Sequence, residues 1–289
     1  TGEVTVPLEF NYCSGVVFRD FSVLDPAGWC VNWYFCTDSQ IDNIKIISSR
    51  SNGDGISLQS CKDIDVRNCF LRTWDDSLVV KNYPRWNDRN IEGETENITF
   101  SNCILWTDLA QSMEVGYETD GEYIRDITFE NITVLHNFHK PVISIHNADD
   151  AKINGVTFRN ITVRDTPRAD CPDNVGFDFE CDTENTLIEN CTFENNAGSA
   201  IMFLANNNTV ADAGHNPQTR GAVIRNCTFI KNDWAQKHMG FQIFLDSYSN
   251  ARPEVEIYNC KYQNAPGTRF VGGTADTSKV KVHNNTALS

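Results

Sequence analysis

A chain of 289 residues with 40% hydrophobic content can bury one large core or two small ones. Its 39 acidic against 24 basic side chains leave a formal charge of −15, which argues against nucleic acid or anionic membrane as partners, since both would be repelled. No apolar run approaches the roughly 18 residues that cross a bilayer, and residues 1–20 carry no basic stretch followed by an apolar one, so a processed or shortened chain is expected.

Along the chain one short pattern returns, from "VVFRDFSV" and "IDNIKI" through "ITFSNCIL", "ITFENITV" and "VTFRNITV" to "VEIYNCKY". Its polar residue falls at Asp20, Asn43, Asn68, Asn102, Asn131, Asn160, Asn190, Asn226 and Asn259, with Asn284 as a last copy. The intervals run from 23 to 36 residues, as for a repeat with variable loops. Each copy is β-rich with period two and too short to bury its own apolar face, so neighbouring copies must stack. The predicted architecture is all-β, a right-handed parallel β-helix, a solenoid of about ten coils forming one domain over residues 1–289. The Asn column becomes a ladder in which each side chain bonds its equivalent on the next coil. An open end would expose strands and core, so an N-terminal cap that is missing or minimal is expected.

Cys69, Cys103, Cys191, Cys227 and Cys260 follow the ladder residue, at the position Ile44, Ile132 and Ile161 fill in other copies. A position that takes Cys or Ile is a buried stack, so these are read as thiols. Cys13, Cys30, Cys36, Cys61, Cys171 and Cys181 lie off that column, and spacing allows Cys30 with Cys36 or Cys171 with Cys181. The Asn-x-Thr sequons at Asn97, Asn131, Asn160, Asn190 and Asn226 are weak glycosylation signals, since most sit in the ladder.

A second strand recurs in the coils as "DGISLQS", "DSLVVKN", "QSMEVGY", "PVISIHN", "VGFDFEC" and "SAIMFLA". Its inward side chains are Ile56 and Leu58, Leu78 and Val80, Met113 and Val115, Ile143 and Ile145, Phe177 and Phe179, Ile201 and Phe203. Asp54 and Asp76 each precede the first inward side chain by two residues, and Asp75 lies one step further back. An Asp-Asp pair alone is ordinary turn chemistry. Asp54 and Asp76 on consecutive coils, about 4.8 Å apart along the axis, with Asp75 beside them at the same sheet edge, are more. They push their proton affinities apart and so provide an acid for a leaving oxygen and a base for water, the requirement for glycoside hydrolysis.

"NGDG" followed by "DDSLVVK", with 21 residues from Asp54 to Asp75, resembles the signature of the pectin-degrading glycoside hydrolases of family 28, the polygalacturonase clan. The dextranases and isopullulanase of family 49 share the three-Asp arrangement. "PLEFNYCSGVVFRDFSVLDPAGW" is similar to that clan's coil before the site, and the resemblance covers roughly residues 7–165. It implies Asp75 as general acid, Asp54 and Asp76 as activators of water in an inverting displacement, and Lys81 as the family's Lys. Where the family has Gly-His-Gly this chain has Gln111 at the His position, and where it has Arg-Ile-Lys this chain has Ser144-Ile145-His146.

Losing that Arg removes the charge-assisted bonds that would hold a uronate. Glu114, Glu118, Asp178 and Glu180, expected on or near the same outward face as solvated groups, would repel a polyanion. A neutral sugar chain is therefore the expected substrate. Its candidate contacts are Gln59, Lys81, Gln111, Glu114, Ser144, His146, Asp178, Glu180, Trp74 and Trp86, with Tyr83, Trp106 and Tyr117 as weaker ones. No metal and no cofactor is expected, oligomeric state is open, and the setting is secreted or periplasmic. Two alternatives stand beside the hydrolase. One is a β-helical polysaccharide lyase or epimerase, disfavoured because Lys81 is the sole cation on these strands; the other is a non-catalytic carbohydrate-binding β-helix.

Overall fold

The computed structural model describes residues 7–82, 93–138, 141–164, 177–180, 183–204, 219–246 and 252–289, with the backbone alone at 177–180 and 204. Its strands form three sheets of ten, twelve and ten members. Each coil gives a strand to each sheet in turn, and the pairings are parallel throughout. The first sheet runs Leu8–Asn11, Val31–Tyr34, Ile56–Gln59, Leu78–Asn82, Met113–Thr119, Ile143–His146, Phe177–Glu180, Ile201–Leu204, Phe241–Leu245 and Arg269–Gly273. This is the expected parallel β-helix, and no helix occurs among the described residues.

The inferred register holds. Ile56, Leu78, Met113, Ile143, Phe177, Ile201, Ile243 and Val271 are partners in successive coils of the first sheet. In the second sheet Phe100, Phe129 and Phe158 stack at 4.8 and 5.0 Å with nearly parallel rings. Each is fully buried and contributes about 2–3 kcal/mol of apolar burial.

The turn that carries Asp20, Asn43, Asn68 and their equivalents is left-handed at all ten positions, with φ between 53° and 62°. Asn tolerates that conformation because its short polar side chain bonds locally. The ladder forms in part. Asn160 donates to Asn131 Oδ1 at 2.9 Å, with both residues exposed, whereas Asn68 donates to Asp42 at 2.8 Å and Lys45 donates to Asn43 Oδ1. A second left-handed column, Asp38, Asp63, Asn97, Asp126, Gly155, Asn185 and Gly221, falls within or between the strands of the second sheet. Asn97 belongs to it, not to the ladder.

Cys69, Cys103, Cys191, Cys227 and Cys260 are buried free thiols, as expected. Cys30 and Cys36 are both free, so the pairing that spacing allowed does not form; the Cys36 thiol lies near the Phe10 and Tyr34 carbonyls, at 3.4 and 3.5 Å. Cys171 and Cys181 lie outside the described residues.

Candidate active site

Asp54, Asp76 and Gln111 each end the turn before a strand of the first sheet. Gly55 N–H donates to Asp76 C=O at 2.7 Å and Ser77 N–H to Gln111 C=O at 3.0 Å, which sets the three corners on one line along the axis. The approach requires glycine at 55, since a Cβ there would lie 2.4 Å from Ser77 O. The next corner is held from inside by a chain of buried hydroxyls. Thr73 Oγ1 lies 2.7 Å from Ser77 Oγ, which is 2.8 Å from Thr107 Oγ1, itself 2.8 Å from Ser112 Oγ. Ser112 donates to Asn137 Oδ1 at 2.8 Å, and Thr73 Oγ1 donates to Asp75 C=O at 2.6 Å. The turn bearing Asp75 and Asp76 is thereby tied to three coils.

The carboxyls differ in environment. Burial pushes Asp54 well above the usual carboxylate range, and the Asp76 charge adds to this; its Oδ1 is buried without a partner. Burial also raises Asp76, to about 6, against the opposing pull of Lys81, the Gln111 N–H 3.0 Å from Oδ1, and a hydrogen bond with Glu114. Half-buried Asp75 is raised by burial too, although the Asp76 N–H donates to its Oδ1 at 3.1 Å. Lys81 is only 4% exposed, and burial disfavours its charge. Glu118 Oε2 at 2.9 Å, with Asp54 and Asp76, more than offsets that and holds it above the usual lysine range. Its Nζ also sits 4.6 Å from the Trp29 ring centroid.

Of the predicted contacts, the structure gathers Asp54, Asp75, Asp76, Lys81, Gln111 and Glu114. Glu114 is corrected from a solvated group to one 3% exposed, held against Asp76. Gln59, in register with Lys81, is fully buried and donates to Asn32 Oδ1 at 3.2 Å. Ser144 pairs in register with Glu114 and is buried; His146 is half-buried with the Tyr117 ring 4.6 Å away. Asp178 and Glu180 follow Ser144 and His146 in the ladder. Trp74 is partly exposed beside Asp75, while Tyr83 and Trp86 lie outside the described residues. Trp106 packs on the third sheet between Arg72 and His136, away from this edge. Sequence reasoning missed Trp29, the Lys81–Glu118 ion pair and the hydroxyl chain. The chain had a signal: Thr73, Thr107 and Asn137 share one register position.

The chain is thus a parallel β-helix with carboxyls clustered along one edge of its first sheet. The model for glycosyl hydrolases family 28 matches residues 6–169 and that for the right handed beta helix region residues 90–287. Each spans more than half of the chain, which belongs to glycosyl hydrolase family 28 and is a right-handed parallel β-helix. No curated protein sequence matches it. Among solved structures it is similar to a hyperthermoactive exopolygalacturonase from Thermotoga maritima (TM-score 0.51, 16% identity, 96% of this chain and 54% of that one). It is likewise similar to the catalytic unit of a thermostable GH87 alpha-1,3-glucanase from Streptomyces thermodiastaticus (0.55, 13%, 96% and 48%). A third is the A-module of the Azotobacter vinelandii mannuronan C-5 epimerase AlgE4 (0.58, 10%, 94% and 76%). At these identities the likeness is one of fold, and the chain spans about half the length of the first two.

Proposed function

We propose that the protein hydrolyses a glycosidic bond in a neutral poly- or oligosaccharide, with inversion, through Asp54, Asp75 and Asp76. The observation that carries this reading is the stacking of Asp54 and Asp76 on adjacent coils beside Asp75, in environments that give the three carboxyls different proton affinities. Asp75, the least buried, protonates the leaving oxygen. Asp76 carries negative charge above about pH 6 and, with Asp54 as its partner, orients and deprotonates water. An inverting reaction needs the acid and base about 6.5–9.5 Å apart across the sugar. A lyase or epimerase is less well supported, because Lys81 is already committed to Glu118 and cannot neutralise a uronate carboxylate. A secreted or periplasmic setting goes with this reading.

The test is reducing-sugar release from a panel of neutral glycans, with proton NMR of the first-formed anomer. Asp75→Asn should lose at least about a hundredfold in kcat on natural glycans and far less on substrates with good leaving groups. Asp54→Asn and Asp76→Asn should slow both kinds alike. A retained anomer, an unsaturated product, or a fully active Asp75→Asn would overturn the assignment.

A further inference from the structure

We propose that Glu114 is a positioning residue for Asp76: its carboxyl keeps a proton and donates it to the Asp76 carboxylate, so that one proton serves two carboxyls on adjacent coils. Only the kinetic part of this inference rests on the hydrolase reading above.

The argument is one of charge and geometry. Glu114 lies opposite Val79 in the ladder, 3% exposed, with Asp76, 9% exposed, as its neighbour among the buried carboxyls of this edge. The groups that face the pair come from four coils. Asp54 lies on the preceding coil, and Asp75 and Lys81 flank Asp76 on its own. Glu118 comes from the strand that bears Glu114, and the Gln111 N–H from the turn before it. Uncharged Ser144 comes from the following coil, with His146 two residues on. Lys81 is the cation within reach among the described residues, and Glu118 holds it at 2.9 Å. Two ionised carboxylates in contact here would have no second cation to compensate them, so one must keep its proton.

Burial favours Glu114 as the holder and raises it well above the usual range, with the neighbouring Asp76 charge adding to the effect. Asp76 then accepts from Gln111 N–H and from Glu114, an arrangement that fixes its carboxylate and favours its charged form against burial. Glu114 thereby sets the pH at which the base becomes available.

Carbon-13 NMR titration of the assigned Asp and Glu carboxyls tests this without substrate. In the wild-type protein the Glu114 carboxyl should titrate well above the ordinary glutamate range and above Asp76, which should titrate near 6. Glu114→Leu, which removes the donor, should move the Asp76 midpoint up by about one pH unit. Glu114→Gln, whose amide N–H can still donate, should leave that midpoint in place. The acid limb of kcat/KM should follow the same order. Titration of wild-type Glu114 in the ordinary range near 4.5, or an Asp76 midpoint that does not move in Glu114→Leu, would overturn the proposal. Wild-type protein that cleaves no glycan would overturn the hydrolase reading, while the titration would still decide this one.

Discussion

Asp76 shows what a buried carboxyl costs a β-helix. Its affinity for protons rises from the ordinary 3.8 to about 6 on folding, chiefly through burial. The folded chain therefore binds more protons than the unfolded one between those values. The contribution of Asp76 to stability is fully present below pH 3.8 and is lost as pH rises through 6. Asp76→Asn removes that loss, so its advantage over wild type should be small at pH 4 and grow by pH 8, reaching at most about 3 kcal/mol. Lys81 would lose one of its carboxylate neighbours, which pulls the gain below that limit. Thermal melts at the two pH values check this, and an Asp76→Asn protein less stable than wild type at pH 8 would contradict it. The same change should abolish most turnover, so that stability and activity move in opposite directions at one residue.

At the scale of the element, the left-handed turn is what the repeat encodes. Asn131 sits there at φ 56°, exposed, and its side chain bonds Asn160. Asn131→Ala should cost about 1–2 kcal/mol, because a Cβ without a local polar partner is strained in that conformation. Asn131→Gly should cost less, as glycine carries no such strain. Denaturant midpoints of the two variants separate this account from a buried ladder, which would penalise both alike. The strands themselves were legible, since a period of two fixes which side chains point inward once neighbours must stack, and Ile56, Leu78 and Met113 fell into line as expected. The second left-handed column was not legible, because Asp38, Asn97, Gly155 and Gly221 share a backbone conformation but no residue type. Nor was the burial of Gln59, Lys81 and Glu114, for alternation says which way a side chain points and not what covers it.

For the whole molecule, charge bears on the proposed preference for a neutral glycan. The chain carries −15 overall, and its candidate site sets five carboxyls, Asp54, Asp75, Asp76, Glu114 and Glu118, around one ammonium. Ser144 and His146 stand where a cationic pair would grip a uronate, a departure already visible in the sequence. The two sources of repulsion respond differently to salt. The Debye length is about 10 Å at 0.1 M and about 3 Å at 1 M, so added salt suppresses the far field of the surface but hardly touches buried groups in contact. Turnover of polygalacturonate should therefore be negligible beside that of a neutral glycan at low salt, and should remain so near 1 M, where the long-range field is gone. Assays of both polymers across that range make the comparison. Recovery of polygalacturonate cleavage at high salt would place the discrimination on the outer surface, and efficient cleavage of demethylated pectin at low salt would defeat the neutral-substrate reading altogether.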